Sequence, residues 1–226
     1  MAFLGASGAR AARSKYNRQP MKIDRAGWPF VHGALVPALI LAAVLPWLAA
    51  VFGVIALFMV YFFRDPDRTV PDQADAVVSP ADGRVLVAGE AERTSAPPGA
   101  WKQISIFLSP LDVHINRIPI GGRVTRVEYT PGRFLAAYRP ESARVNERNE
   151  VWIERDGGIV VCRQVVGVLA RRLVCRVAPG AAVRTGERYG LMKFGSRIDL
   201  YLPLHATLRV AVGDRVRSGE TVVATW

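Results

Sequence analysis

Thirty-six consecutive positions, Trp28 to Phe63, are apolar except for His32, and only Gly33, Gly53, Pro29, Pro37 and Pro46 interrupt the run of large side chains. One bilayer crossing takes about 20 residues, so the run is too long for a single straight helix. Two helical segments that break around Pro46 and Trp47 account for it, as a tight hairpin or as two short spans. No polar face exists for a buried soluble helix to present. Hydropathy leaves open whether the pair spans the bilayer or dips into it. Basic residues precede the run, and Arg64 and Arg68 follow it, which puts both ends on the cytoplasmic side of the cell membrane.

Residues 1–26 read as a basic, disordered tail, with Arg10, Arg13, Lys15, Arg18, Lys22 and Arg25 against the single acid Asp24. The apolar run is too long for the core of a signal peptide, and no small-residue cleavage site follows it. A formal net charge of +11 implies a polyanionic partner. Aromatic residues cluster in the apolar run rather than among the basic ones, so no stacking platform for nucleic acid is present. An anionic membrane surface is the expected partner.

Residues 27–64 therefore form a membrane-embedded unit, and Arg64-Asp65-Pro66-Asp67-Arg68 a stiff exit from it. From Asp75 onward short β-branched runs alternate with Gly, Pro and Asp, which predicts a mainly β (α+β) domain over 65–226. Val183-Arg184-Thr185-Gly186-Glu187 is echoed by Val216-Arg217-Ser218-Gly219-Glu220, each before an apolar strand. The pair is similar to the turns of biotinyl/lipoyl-like barrel-sandwich hybrid domains, a likeness of fold that says little about function.

Groups capable of chemistry are few. Cys162 and Cys175 lie in apolar runs without a CxxC spacing or a nearby His, so they read as core thiols and no metal site is expected. His32 sits in the apolar run as an interfacial residue. His114 follows Ser109-Pro110-Leu111-Asp112-Val113 at a strand end, where a side chain either faces a pocket or serves the structure. His205, after Pro203, repeats that pattern more weakly. Asp82-Gly83 is a common turn pair, and Asn146-Glu147-Arg148-Asn149 reads as a solvated loop. Gly195-Ser196 fits neither the G-x-S-x-G nor the S-x-x-K pattern. Yet Gly195 leaves its carbonyl unhindered and Ser196 brings a hydroxyl beside it, so a strained turn would let the chain attack itself. An ordinary Gly-Ser turn has the same sequence.

Five segments together, FFRDPDR (62–68), SPADGRV (79–85), FLSPLDVHINR (107–117), NERNEV (146–151) and FGSRID (194–199), resemble the short-form phosphatidylserine decarboxylases in order and spacing. The resemblance runs from about residue 20 to the end. It implies a proenzyme that cuts itself between Gly195 and Ser196 into a 1–195 chain and a 196–226 chain, which stay together as a heterodimer. It further implies that Ser196 becomes a covalent pyruvoyl cofactor, which forms a Schiff base with phosphatidylserine and yields phosphatidylethanolamine and carbon dioxide. His114 would serve the proton transfer and Asp82 the self-cleavage. One departure stands out: longer relatives carry a second His where this chain has Arg117, and arginine stays protonated at ordinary pH. Either His114 serves both steps, or the strained peptide rearranges with less help.

Two other readings compete. A membrane-tethered biotinyl/lipoyl-like adaptor without catalysis would use Met192-Lys193 as its attachment turn, although the next residue is Phe rather than Met. A soluble pyruvoyl decarboxylase of a free amino acid conflicts with the apolar run.

Overall fold

The longest unbroken β pattern, residues 148–166, folds as a hairpin whose strands Arg148–Arg155 and Gly158–Val166 meet at Asp156-Gly157. Both turn residues have positive φ, 48° and 77°, as a two-residue hairpin turn that follows the strand twist requires. This hairpin lies inside an eight-stranded antiparallel sheet. The computed structural model describes residues 22–168 and 173–226. Across that sheet the strands run Ala182–Val183, Gly122–Thr130, Arg148–Arg155, Gly158–Val166, Ser196–Leu202, Lys102–Leu108, Gly83–Glu90 and Arg215–Val216. Two three-stranded sheets complete the domain. One joins Leu173–Cys175, Arg188–Met192 and Ile115–Arg117, and the other Thr207–Leu208, Val222–Thr225 and Ala76–Val78.

The repeated pentapeptides occupy equivalent places. Val183 and Val216 lie in the two edge strands at opposite ends of the large sheet. Gly186 N–H donates to Ile118 O and Gly219 N–H to Ser79 O, each at 2.8 Å. The sequence echo is thus an internal structural echo, built from two similar strand-turn units.

Strand alternation places Ile198, Leu200 and Leu202 in the main core with Ile104, Ile106, Val151 and Ile153. The opposite face of the same strand carries Arg197, Asp199 and Tyr201, also buried. These charges survive burial because they are partnered. Arg197 Nε donates to Asp199 Oδ1 at 2.6 Å, and Arg163 pairs with Glu150 at 2.7 Å. A cavity of about 310 Å3 opens over this layer, lined in part by Arg197, Gln103, Ser95 and Tyr138.

The apolar run forms two helices, α1 (Trp28–Leu41) and α2 (Pro46–Phe62), which pack along each other. The break falls where Pro46, lacking an N–H, opens a new first turn. Among the described residues no helix is long and apolar enough to cross a membrane, so the spanning alternative gains no helix to carry it. Large apolar side chains nevertheless face outward, among them Leu39, Ile40, Val44, Trp47, Val54 and Leu57.

Residues 22–26 correct the picture of a disordered tail. Lys22–Ile23 pairs with Arg64–Asp65, and both carboxylate oxygens of Asp24 accept from Arg176 at 2.7 and 2.6 Å. The tail before Lys22 lies outside the described residues. The exit segment is likewise a clasp rather than a linker. Asp65 pairs with Arg188 at 2.7 Å and Arg117 at 3.3 Å, and Arg68 with Asp82 at 2.7 Å and Glu220 at 3.1 Å.

Candidate active site

Gly195 and Ser196 stand where two sheets are joined. Arg188–Met192 belongs to a three-stranded sheet and Ser196–Leu202 to the centre of the large one, so residues 193–195 must turn from one to the other. Pairing fixes both ends. Met192 N–H donates to His114 O at 3.3 Å, and Ser196 lies in register between Leu108 and Val166. The turn is forced into the left-handed region at two successive residues, Phe194 at φ 63° and Gly195 at φ 68°. Glycine accepts that region freely, whereas for Phe194 it costs about 1–2 kcal/mol.

The Gly195 carbonyl has a close neighbour that sequence reasoning missed. A Cβ placed on Gly167 would lie 2.2 Å from Gly195 O, so only glycine lets the two backbones approach. The residue opposite Gly195 is set by strand register, and nothing in the local sequence around Gly167 signals it. The Ser196 side chain is fully buried, and its Oγ makes no hydrogen bond among the described residues.

His114 reaches the same turn from the other side. The loop before it is closed by Asp112, whose Oδ2 accepts from Ser109 N–H at 2.8 Å. The imidazole Nδ1 lies 3.0 Å from Asp112 O, a partner that can only accept, so Nδ1 carries the proton. Nε2 is left as a lone pair that accepts the Gly195 N–H at 3.4 Å. Phe62, the last residue of α2, lies against the ring with centroids 4.2 Å apart, and Phe194 stacks on Phe62 at 4.6 Å. Burial among these groups pulls the His114 pKa down to about 4, the carbonyl of Asp112 opposes it, and the charge of Arg64 lowers it further. His114 is therefore a neutral base at ordinary pH.

Asp82 lies elsewhere and is half-buried. Its Oδ2 takes a charged hydrogen bond from Arg68 at 2.7 Å, and its Oδ1 accepts from Ser218 N–H at 2.8 Å. Burial raises its pKa, with Arg68 working against the shift. No hydrogen bond among the described residues joins Asp82 to His114 or Ser196. Arg117, the departure from the longer relatives, turns away from the Gly195 turn and donates to Gly186 O at 3.0 Å, Pro66 O at 3.0 Å and Asp65 at 3.3 Å. The structure thus brings together His114, Gly195 and Ser196, and leaves Asp82 and Arg117 in a neighbouring cluster of charges.

The remaining candidates fall outside this centre. His205 is exposed and meets the Trp226 ring, and His32 is exposed beside Trp28. Cys162 is buried with its thiol 3.0 Å from the Tyr189 hydroxyl, and burial pushes its pKa up to about 12; Cys175 is half-buried, and both are free. Asn146 corrects the expectation of a solvated loop. It is fully buried, donating to Leu135 O and Val166 O at 2.8 Å and accepting from Leu135 N–H at 3.0 Å.

An unpartnered buried hydroxyl, an unprotonated imidazole and a strained peptide gathered at one turn define an enzyme's reactive centre rather than a docking surface. Comparison with known proteins agrees. Residues 55–224 match the family model described as phosphatidylserine decarboxylase. Similar curated proteins include phosphatidylserine decarboxylase proenzymes of Nitrosomonas europaea, 45% identical over 90% of this chain and 95% of that protein, and of Symbiobacterium thermophilum, 48% identical over 91% and 96%. The proenzyme of Ralstonia nicotianae is 44% identical over 89% of this chain and 94% of its own length. The chain belongs to the phosphatidylserine decarboxylase family.

Proposed function

We propose that this chain is a proenzyme that cuts itself between Gly195 and Ser196, and that the product decarboxylates phosphatidylserine to phosphatidylethanolamine and carbon dioxide. One observation carries the reading: the His114 Nε2 lone pair faces the Gly195 amide, beside the unpartnered Ser196 hydroxyl, in a left-handed turn. His114 takes the hydroxyl proton as Oγ attacks Gly195 C; the bond from that carbon to Ser196 N then breaks, His114 returns the proton to the freed amine, and the peptide has become an ester. Loss of the Ser196 Cα proton and departure of the Gly195 carboxylate leave dehydroalanine at position 196. Its enamine tautomerises, adds one water and releases ammonia, leaving a pyruvoyl group. Ser196 and the open space around Gly195, where a Cβ would meet nothing within 4 Å, fit a group made from the chain itself.

When formed, that group supplies the electron sink that decarboxylation of an amino acid needs and no ordinary side chain provides. His114 delivers a proton from Nε2 to the substrate carbon that has lost its carboxylate. Asp82 supports cleavage from a distance. By fixing Ser218, whose Oγ lies 3.5 Å from Ile115 O, it steadies the strand that follows His114. The two product chains remain associated because Ser196–Leu202 is hydrogen-bonded between Lys102–Leu108 and Gly158–Val166. A barrel-sandwich hybrid description suits the paired strand-turn units.

The membrane reading rests on the outward apolar side chains of α1 and α2. A diacyl lipid leaves the bilayer at a cost of about 0.8 kcal/mol per methylene, so the enzyme has to meet it there. The helices dip into the cytoplasmic leaflet, and Phe62 ties them directly to His114. Intact mass spectrometry of the purified protein tests the whole scheme. Two chains matching 1–195 and 196–226, the smaller without a free amine, are expected, together with release of carbon dioxide from phosphatidylserine vesicles. A single chain carrying biotin would favour the adaptor, and turnover of free serine alone would favour the soluble decarboxylase.

A further inference from the structure

Cleavage at Gly195 creates a group that neither the uncleaved chain nor the substrate contains, a carboxylate at the new end of the larger chain. We propose that this Gly195 carboxylate stays beside His114 and accepts from its Nε2, so that the neutral base of the precursor holds a second proton in the mature enzyme and passes it to the substrate through that carboxyl group. The inference rests on the self-cleavage reading and adds a role for its by-product.

Geometry supports it first. Gly195 N lies 3.4 Å from His114 Nε2, and the carboxyl carbon is about 2.5 Å from the Gly195 nitrogen by backbone geometry. Rotation within this one glycine brings a carboxylate oxygen toward Nε2, and the side of Gly195 on which a Cβ would stand is open to 4 Å. The new chain end also has reason to remain. Phe194 keeps its stack on Phe62 at 4.6 Å and its edge contacts with Phe30 and Phe63 at 6.1 and 6.3 Å, none of which cleavage removes.

The surroundings leave the position to this carboxylate. Asp112 faces the ring with its carbonyl, while its carboxylate is turned to Ser109 N–H at 2.8 Å and to Arg215 at 3.8 Å. Asp82 is held by Arg68 and Ser218. Among the cations, Arg64 donates to Tyr61 O and Leu111 O, Lys193 lies over the Phe30 ring and Arg197 pairs with Asp199 on the other sheet face. Phe62 presents only its ring. A carboxylate brought within hydrogen-bond reach of an imidazole favours the charged form, whereas burial without one favours the neutral form. The second histidine of longer relatives is Arg117 here and is turned away, so a pair made by cleavage gives His114 its second state.

Imidazole titration by NMR tests the idea, with His114 assigned in a background of His32→Gln and His205→Gln and glycine labelled at its carboxyl carbon. In uncleaved Ser196→Ala protein His114 should titrate near 4. In mature enzyme, confirmed as two chains by mass, it should titrate above the ordinary 6.5, and the Gly195 carboxylate signal should shift with the same midpoint. Simple exposure would return His114 only to about 6.5. A mature midpoint at or below that value, or a carboxylate signal indifferent to it, overturns the proposal. A protein that stays one chain instead defeats the cleavage reading itself.

Discussion

Two clusters flank the strand Ile115–Arg117, one buried and one half-buried, and they are opposites. On one side His114 sits among Phe62, Phe194 and the Gly195 turn, with an uncharged ring and a serine hydroxyl that nothing holds. On the other, Arg117, Asp65, Arg188, Arg68, Asp82 and Glu220 bind one another. A group whose partners are complete is fixed in place, while one left with an unspent lone pair or proton is available for reaction. The first cluster is built to react and the second to hold the exit segment against the β domain.

Variants divide along the same line. Ser196→Ala has the largest effect, leaving one full-length chain with no decarboxylase activity, and two chains on a denaturing gel would contradict it. His114→Ala should retain the fold yet lose 10²–10⁴-fold in turnover, with processing slowed as well, read from product formation and the chain ratio. Gly167→Ala pushes a methyl into Gly195 O, and displacement of about 1 Å costs roughly a hundredfold. Its precursor should accumulate in a time course, and its thermal unfolding midpoint should fall because a backbone atom has to move to admit the methyl.

Acid distinguishes the clusters without mutation. His114 refuses a proton in the folded precursor until about pH 4, whereas the unfolded chain accepts one near 6.5. The unfolded state thus binds more protons between those values, and stability present above pH 6.5 is lost as pH falls toward 4. The loss is on the order of 3 kcal/mol, measurable by denaturant unfolding of Ser196→Ala protein and absent when His114 is also replaced by Phe. The smallest effect is expected from Asp82→Asn, which leaves Arg68 paired with Glu220. It should lower stability by about 2 kcal/mol and slow cleavage no more than about tenfold. A folded Asp82→Asn protein that never cleaves would merge the two clusters into one.

Much of the architecture was legible because it follows local rules. The helix break at Pro46 and the repeated Val-Arg-x-Gly-Glu turns each depend on residues adjacent in sequence. Charge pairing was not legible. Asp24 meets Arg176, and Arg68 meets Glu220, across 152 residues, so segments that look like solvated tail or linker are in fact clasps. Asn146 misled for the same reason. A polar residue in a polar run looks exposed until its partners, Leu135 and Val166, are brought to it by the sheet.

By composition and spacing the sequence determined an apolar helical pair ahead of a β domain, whereas Gly195-Ser196 and His114 stood out from ordinary turn residues only through the resemblance of five separated segments to a known family. Only the tertiary structure decided what the peptide feels: a turn between two sheets that forces left-handed backbone, Gly167 against its carbonyl, Phe62 arriving from α2 to dry the histidine, and Arg117 turned elsewhere. Strain and burial arise where distant segments meet, and no stretch of sequence contains them.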